Sequence, residues 1–352
     1  MMQIPVTGQL SALPLRKHWY VACEASELST DSPLAATVLD TPLVLFRNAS
    51  GQPAALLDRC PHRNVPLSEG FVHGGELICG YHGWQFDELG QRTQLPGLVE
   101  PSEQNCSVLR FYCLEQDDYI WVCPSAGHRP DAPPMALPRP GPGYACYRYA
   151  FDLDCTLHAA LENALDVAHT SYLHGGLFRG VAERNQIDVE LKAIDNGFEA
   201  EYIGEPLLPG GRKPPKGITP QHWDRFTVPG NVQVEYAAGK NNHVLNTIYH
   251  TPISALKTRM YFVGYMRLPG LGRFFKPLIA RSIKQVLQQD IDMLAKQTET
   301  ILRFDGEDYQ SSQMDLFGPQ IWRFMRHAEQ YEKGEVDTPL PEYRPRQVQI
   351  TL

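Results

Sequence analysis

Two short motifs constrain this chain more than anything else in it: Cys60-Pro61-His62 and Cys79-Gly80-Tyr81-His82, with sixteen residues between them. Each puts a thiol and an imidazole inside a tight turn. Pro61 and Pro66 in the first, and Gly80 and Gly83 in the second, supply the sharp backbone such turns need. Two converging Cys-His pairs make a Cys2His2 site, and two chemistries fit it. One is a structural zinc. The other is a [2Fe–2S] cluster with two cysteines on one iron and two histidines on the other. Zinc fingers usually present the cysteine pair first and the histidine pair second. Here each turn contributes one of each, as a two-iron cluster requires. His18 and His73 fall outside the pattern and read as surface or capping residues.

Around these motifs the chain has an ordinary globular balance, 43% apolar and 20% charged, and its 352 residues suggest two domains. A net charge of -8 makes it a poor nucleic-acid binder. Eight cysteines with no recognisable leader point to the reducing cytoplasm rather than to a disulfide framework. No run approaches 18 apolar residues, so no spanning helix is expected. The clearest composition shift is residues 124–143, with seven prolines in twenty residues, which read as an extended connector. Before it, short strand-like runs (42–46, 52–58, 77–79, 84–87 and 119–123) indicate a small all-β domain over residues 1–140.

After the connector, residues 141–352 form a second domain of a different kind. Residues 156–173 have helical spacing, with Leu157, Leu161, Leu165, Ala168 and Tyr172 near one stripe. Five strand-like segments follow, at 187–193, 198–203, 232–238, 244–250 and 258–266. A long helix is expected over 273–304 and a shorter one over 320–333, with a proline-rich tail: an α+β pattern. Residues 204–220 read as a long loop. Residues 268–284 mix Arg273, Lys276, Arg281 and Lys284 with apolar side chains. They are read as a core-packed helix with a solvated basic face, so membrane contact is not expected.

Residues 162–174 carry Glu162, Asn163, Asp166, His169 and His174. Asp166 and His169, three apart, share a helix face. His169 and His174, five apart, would diverge by about 140° on a continuous helix, so they meet only if the helix ends or bulges between them. On the long helix, the neighbours of Asp290 one and two turns away are Ile283, Val286, Leu287, Met293, Leu294 and Gln297. A carboxylate in so apolar a stripe should be paired or metal-bound. The neighbours of Asp292 are Gln285, Gln288, Gln289, Ala295, Lys296 and Glu299, a solvated face.

The stretch CPHRNVPLSEG…CGYHGWQFDELG resembles the Rieske domain of Rieske non-haem iron oxygenases, and N-x-x-D-x-x-H-x4-H resembles their catalytic domain. The resemblance implies an α+β chain: an N-terminal all-β Rieske [2Fe–2S] domain and a C-terminal α+β catalytic domain of the helix-grip (START-like) type. Cys60 and Cys79 would hold one iron of the cluster, and His62 and His82 the other. His169 and His174 would be two ligands of a mononuclear Fe(II), and Asp290, chosen over Asp292 by its helix face, the third. Asp166 would bridge a cluster histidine, His82, to His169, with Asn163 helping to shape the iron site.

The implied activity is that of a terminal oxygenase component, hydroxylating or oxidatively demethylating an aromatic or alicyclic small molecule with O2. The alternative is a Rieske electron-transfer or binding protein without oxygenase activity. No G-x-G-x-x-G follows a strand and no C-x4-C-x2-C is present. Electrons from NAD(P)H would therefore come through a separate reductase, with or without a ferredoxin. The resemblance also implies a homotrimer. Met260, Phe262 and Met266 share one strand face, and core packing is the expected role for them.

Overall fold

The computed structural model describes residues 10–97, 106–175, 185–205, 213–267 and 274–351. The chain divides into two compact units, Arg16–Leu137 and a second comprising Met1–Leu15 with Pro138–Leu352.

The first unit is built from small antiparallel sheets. Three strands (Tyr20–Glu24, Tyr119–Val122, Cys113–Gln116) form one and four (Leu34–Val38, Thr41–Arg47, Pro53–Leu57, Arg110–Phe111) another. A third sheet runs Phe71–His73, Glu76–Ile78, Gln85–Phe86 and Arg92–Gln94. Val44, Phe46, Leu56, Leu67, Leu77 and Phe86 pack with Cys60 and Cys79 in one buried cluster, so the two thiols stand on a rigid floor. The proline-rich stretch has no regular structure as far as Gly143, as its prolines dictate. It is not loose, however. Trp19 Nε1–H donates to the Ala132 carbonyl at 2.8 Å, and the Leu137 N–H donates to the Asp117 carboxylate at 2.8 Å.

The second unit is dominated by one eight-stranded antiparallel sheet. In chain order its strands are β1 (Tyr144–Leu153), β2 (Gln186–Ile194), β3 (Gly197–Ile203), β4 (Gln221–Thr227), β5 (Asn231–Ala237), β6 (His243–Ser254), β7 (Lys257–Arg267) and β8 (Arg346–Thr351). In space they run β1-β7-β6-β5-β4-β3-β2-β8. Three helices, α1 (Leu157–Leu165), α2 (Lys276–Arg303) and α3 (Gly318–Glu332), contribute Leu161, Leu287, Leu294, Ile321 and Phe324 to a core shared with Phe198, Phe226, Ile248 and Phe262 of the sheet. Met260 and Phe262 belong to that core, as expected, whereas Met266 is half-buried and lies outside it.

The N-terminal segment joins this unit through chemistry as well as packing. Leu15 is fully buried in the second unit's core. Ser11 donates through its N–H and its hydroxyl to the two oxygens of Glu307, at 2.7 and 2.8 Å. The Ser11 hydroxyl also lies 3.1 Å from that of Thr156, whose Oγ1 accepts the Ala159 N–H and caps α1.

Several sequence expectations need correction here. β1, β4 and β8 lie where no strand was expected; β8 in particular pairs the chain's tail with β2. The expected loop 204–220 falls partly outside the described residues, at 206–212. Residues 268–273 of the apolar-basic segment also fall outside. Its remainder is not core-packed at the start: Phe274, Phe275 and Leu278 are exposed, because α2 reaches the sheet only from its second turn onward. The largest correction concerns the helix expected over 156–173. It stops at Leu165, where Asp166 leaves helical geometry at φ -82°, ψ 108°. Ala168 and Tyr172 therefore do not continue its buried stripe, and Tyr172 is exposed.

Candidate metal centres

The two Cys-His turns are built alike. In the first, the Cys60 carbonyl accepts from the Asn64 N–H and the Cys60 N–H donates to the Val65 carbonyl, both at 2.8 Å. In the second, the Cys79 carbonyl accepts from Gly83 N–H at 2.9 Å and the Cys79 N–H donates to the Trp84 carbonyl at 2.8 Å. Asn64 (φ 62°) and Gly83 (φ 70°) occupy the same left-handed position in each turn. Glycine and asparagine are the residues that tolerate it best. Gly80 is demanded by a close approach instead, since a Cβ there would lie 2.8 Å from the Glu69 carbonyl oxygen.

These turns bring Cys60, Cys79, His62 and His82 together. Both thiols are buried, and burial pushes Cys60 up to about 11. The His62 and His82 rings meet edge-on with centroids 4.5 Å apart. His62 Nδ1 is buried with no hydrogen-bond partner, an orphan that a metal would satisfy. Two thiols and two imidazoles with such an orphan fit the donor set of a Rieske cluster. His82 is exposed, with Tyr81 tilted against it at 3.9 Å.

In the second unit the early end of α1 makes the other centre. Asp166 turns the chain out of the helix. Its carboxylate accepts the N–H groups of Ala168 (2.8 Å) and His169 (3.2 Å), which starts a single 3-10 turn at His169–Ser171. Asp166 and His169 thus meet through this turn, with Oδ2 3.4 Å from Nδ1, and not across a helix face as the spacing suggested. His169 and His174 are not on a continuation of α1 but on a separate short turn, in which the His169 carbonyl accepts the N–H groups of Tyr172 (2.9 Å) and Leu173 (2.8 Å). Their Nε2 atoms lie 3.2 Å apart, and Asp290 Oδ1 lies 3.5 Å from the first and 3.2 Å from the second. Among the described residues these three form the cluster of metal-ligating side chains. Burial works against charge on His169, but the carboxylates of Asp166 and Asp290 outweigh it and hold the imidazole up at about 9. Burial likewise opposes charge on Asp290, and the two histidines overcome it and hold the carboxyl below its ordinary range. Three donors this close, two imidazole nitrogens and one carboxylate, fit one divalent ion with open positions, which would take the place of the proton on His169.

The surrounding hydrogen bonds orient each donor. Asn163 Nδ2 donates to Asp290 Oδ1 at 3.2 Å, so its amide serves the carboxylate rather than the helix surface. His174 is buried, and its Nδ1 lies 2.9 Å from Gln289 Oε1. The amide oxygen can only accept, so the proton sits on Nδ1 and the Nε2 lone pair faces the cluster. Its spacing from Asp292 puts Gln289 on a solvated face. Its position directly before Asp290 is the only sequence signal of its role. Asp292 is exposed and accepts from Gln288 at 2.8 Å. The outlying histidines divide: His73 is exposed, whereas burial and nearby His128 lower His18 to about 4.

A family model of the Rieske [2Fe-2S] domain matches residues 18–112, and one of the vanillate O-demethylase oxygenase C-terminal domain matches residues 153–328. The chain is a Rieske oxygenase. Relatives of this oxygenase include the dicamba O-demethylase oxygenase component of Stenotrophomonas maltophilia, 40% identical over 56% of the chain and 57% of the relative. The vanillate O-demethylase oxygenase subunit of Pseudomonas sp. (strain HR199 / DSM 7063) is 26% identical over 92% of the chain and 97% of the relative. Among solved structures, dicamba monooxygenase bound to dicamba matches with a TM-score of 0.75 at 26% identity, covering 92% of this chain and all of that one. The α+β organisation expected from the sequence, with an N-terminal Rieske domain and a C-terminal catalytic domain, is the one found. No helix among the described residues is long and apolar enough to cross a membrane.

Proposed function

We propose that this chain is the terminal component of a multicomponent monooxygenase that demethylates or hydroxylates an aromatic or alicyclic small molecule. Cys60, His62, Cys79 and His82 would hold the cluster within a domain reaching to about residue 140, and His169, His174 and Asp290 a mononuclear iron in the remainder. When bound, these centres supply single electrons and activation of O2. The observation that carries the reading is the convergence of the His169, His174 and Asp290 donor atoms within 3.5 Å, each with its own orienting partner. A module that only shuttled electrons would have no use for that set.

The chain's own residues do the positioning. Asp166 faces His169 Nδ1, Gln289 fixes the tautomer of His174, and Asn163 steadies Asp290. In the head-to-tail trimer that the family resemblance implies, Asp166 would also reach a neighbouring subunit's cluster histidine. Electrons would arrive from NAD(P)H through a separate reductase, with or without a ferredoxin, in the cytoplasm.

The inward face of the sheet supports the substrate class. One row across it is apolar and aromatic: Tyr149, Phe262, Ile248, Val232. In the next row Tyr147 and Asn246 flank Gly264, where a Cβ would lie 2.8 Å from the Phe262 ring and 3.0 Å from Asn246 Oδ1. Tyr147 Oη is buried without a hydrogen-bond partner. Tyr147 and Asn246 offer hydrogen-bond donors, which suits an ether, carbonyl or hydroxyl oxygen on an otherwise apolar ring.

For demethylation the balance is one methoxy group, O2, two electrons and two protons giving a hydroxyl, formaldehyde and water. The test is a panel of methoxy-substituted and unsubstituted ring compounds, with NADH and a surrogate reductase, read by NADH consumption and formaldehyde release. Ring-dependent turnover is expected. No ring-dependent NADH consumption from protein carrying three irons per chain would refute the proposal.

A further inference from the structure

Trp84 is the residue that ties the two Cys-His turns together. Its carbonyl accepts the Cys79 N–H of its own turn. Its indole crosses to the other turn and lies flat on His62, with centroids 4.7 Å apart and planes within 5°. The Arg92 guanidinium lies over the same indole, Cζ 5.5 Å from its centroid. Arg92 begins the strand that pairs with Gln85–Phe86, immediately after Trp84 in sequence, so the sheet itself sets this distance. Among the described residues His82 has no parallel stack of this kind; its exposed ring meets only the exposed Tyr81, tilted by 48° at 3.9 Å, and the edge of His62.

We propose that Trp84 and Arg92 are positioning residues for the cluster, acting through His62: the indole fixes the plane of the imidazole, and the guanidinium sets the reduction potential. This rests on His62 being a cluster ligand, as proposed above. An imidazole free to rotate about its ligand bond samples many orientations toward its iron; one stacked in parallel on a half-buried indole has a single plane. Reduction adds one negative charge to the cluster. A fixed cation held over the indole that stacks on a ligand stabilises the reduced state selectively, and cluster potentials follow local charge and solvent exposure. Arginine suits the place because its planar cation stacks on an aromatic face and keeps its charge at every working pH. The asymmetry is also useful: the potential is set from the packed side, at His62, while His82 stays open.

The experiment is a spectroelectrochemical titration of the intact oxygenase, with the reduced cluster followed by EPR. Arg92→Gln should lower the midpoint potential by an amount on the order of a tenfold change in the reduction equilibrium, about 59 mV for one electron. Arg92→Lys should restore most of it. Trp84→Leu should spread the nitrogen couplings of the reduced cluster, and Trp84→Phe should keep them sharp. Should the glutamine variant lose its cluster, Arg92→Met makes the same charge comparison. A normal EPR signal with the potential unmoved in Arg92→Gln or Arg92→Met, or couplings unmoved in Trp84→Leu, overturns the proposal alone. Absence of a Rieske signal from the parent protein overturns the ligand assignment on which it rests, and the proposal with it.

Discussion

Replacing Gln289 by leucine tests the second metal centre through a residue that never touches the metal. His174 is 1% exposed, so no bulk water can take over when the amide oxygen 2.9 Å from its Nδ1 is removed. A buried N–H left without an acceptor costs about 1–3 kcal/mol. That penalty falls on the tautomer the metal needs, because the imidazole escapes it by moving its proton to Nε2, the atom that faces Asp290. Outer partners of metal-bound histidines are worth roughly 10–100-fold in metal affinity, or about 1.4–2.7 kcal/mol, so the two routes agree. The assay is retention of iron against a graded series of chelators. Cluster iron is subtracted by sulfide content, and the melting temperature is checked to establish folding. Gln289→Leu should release its non-cluster iron at a chelator strength 10–100-fold lower than the parent. Gln289→Glu, which keeps an acceptor, should hold iron at least as well as the parent. A leucine variant that binds iron as tightly as the parent would show that the tautomer is set elsewhere.

Other variants probe the neighbours. Asp290→Ala should bind no third iron while Asp292→Ala binds it normally, measured as iron per chain; equal retention in both would remove Asp290 from the ligand set. Asp166→Asn should keep both metal centres, since an asparagine oxygen can still cap the turn, yet lose at least about tenfold in turnover, the low end for such partners; a fully active variant would discount the carboxylate's role. Burial first, with Asp315, Asp166 and Glu307 adding to it, lifts Glu162 from 4.5 to about 7. A carboxyl raised in the folded state contributes stability at low pH that is lost as pH climbs from about 4.5 through about 7. Glu162→Gln should therefore flatten the decline in unfolding free energy over that window, by up to about 3 kcal/mol, read by denaturant titration at each pH; parallel curves for variant and parent would contradict it.

The sequence carried the grouping of candidate side chains better than the course of the backbone. Cys60, His62, Cys79 and His82 were legible because a motif with two donors and a turn residue is local information. Asp290 stood out because a carboxylate in an apolar helical stripe is costly wherever the helix packs. The helix end at Leu165 was not legible, since residues 166–173 keep an apolar period that would sustain a helix. What stops it is Asp166 turning its carboxylate onto the N–H groups of Ala168 and His169. Gln289 was missed for a related reason: a helical wheel gives the direction of a side chain but not what another segment brings to it. β8 was hidden because an edge strand needs only a partner, and the tail's composition says nothing of β2.

The bonds from Ser11 to Glu307 make the first unit, in topological terms, an insert: the polypeptide contributes a strap to the second unit, departs to build the first, and then returns. Glu307 is 0% exposed, and the same serine hydroxyl reaches the cap of α1, the helix that delivers Asp166. Trimming the chain up to Leu15 would thus spare the lobe that follows next in sequence and injure the one that lies more than a hundred residues downstream.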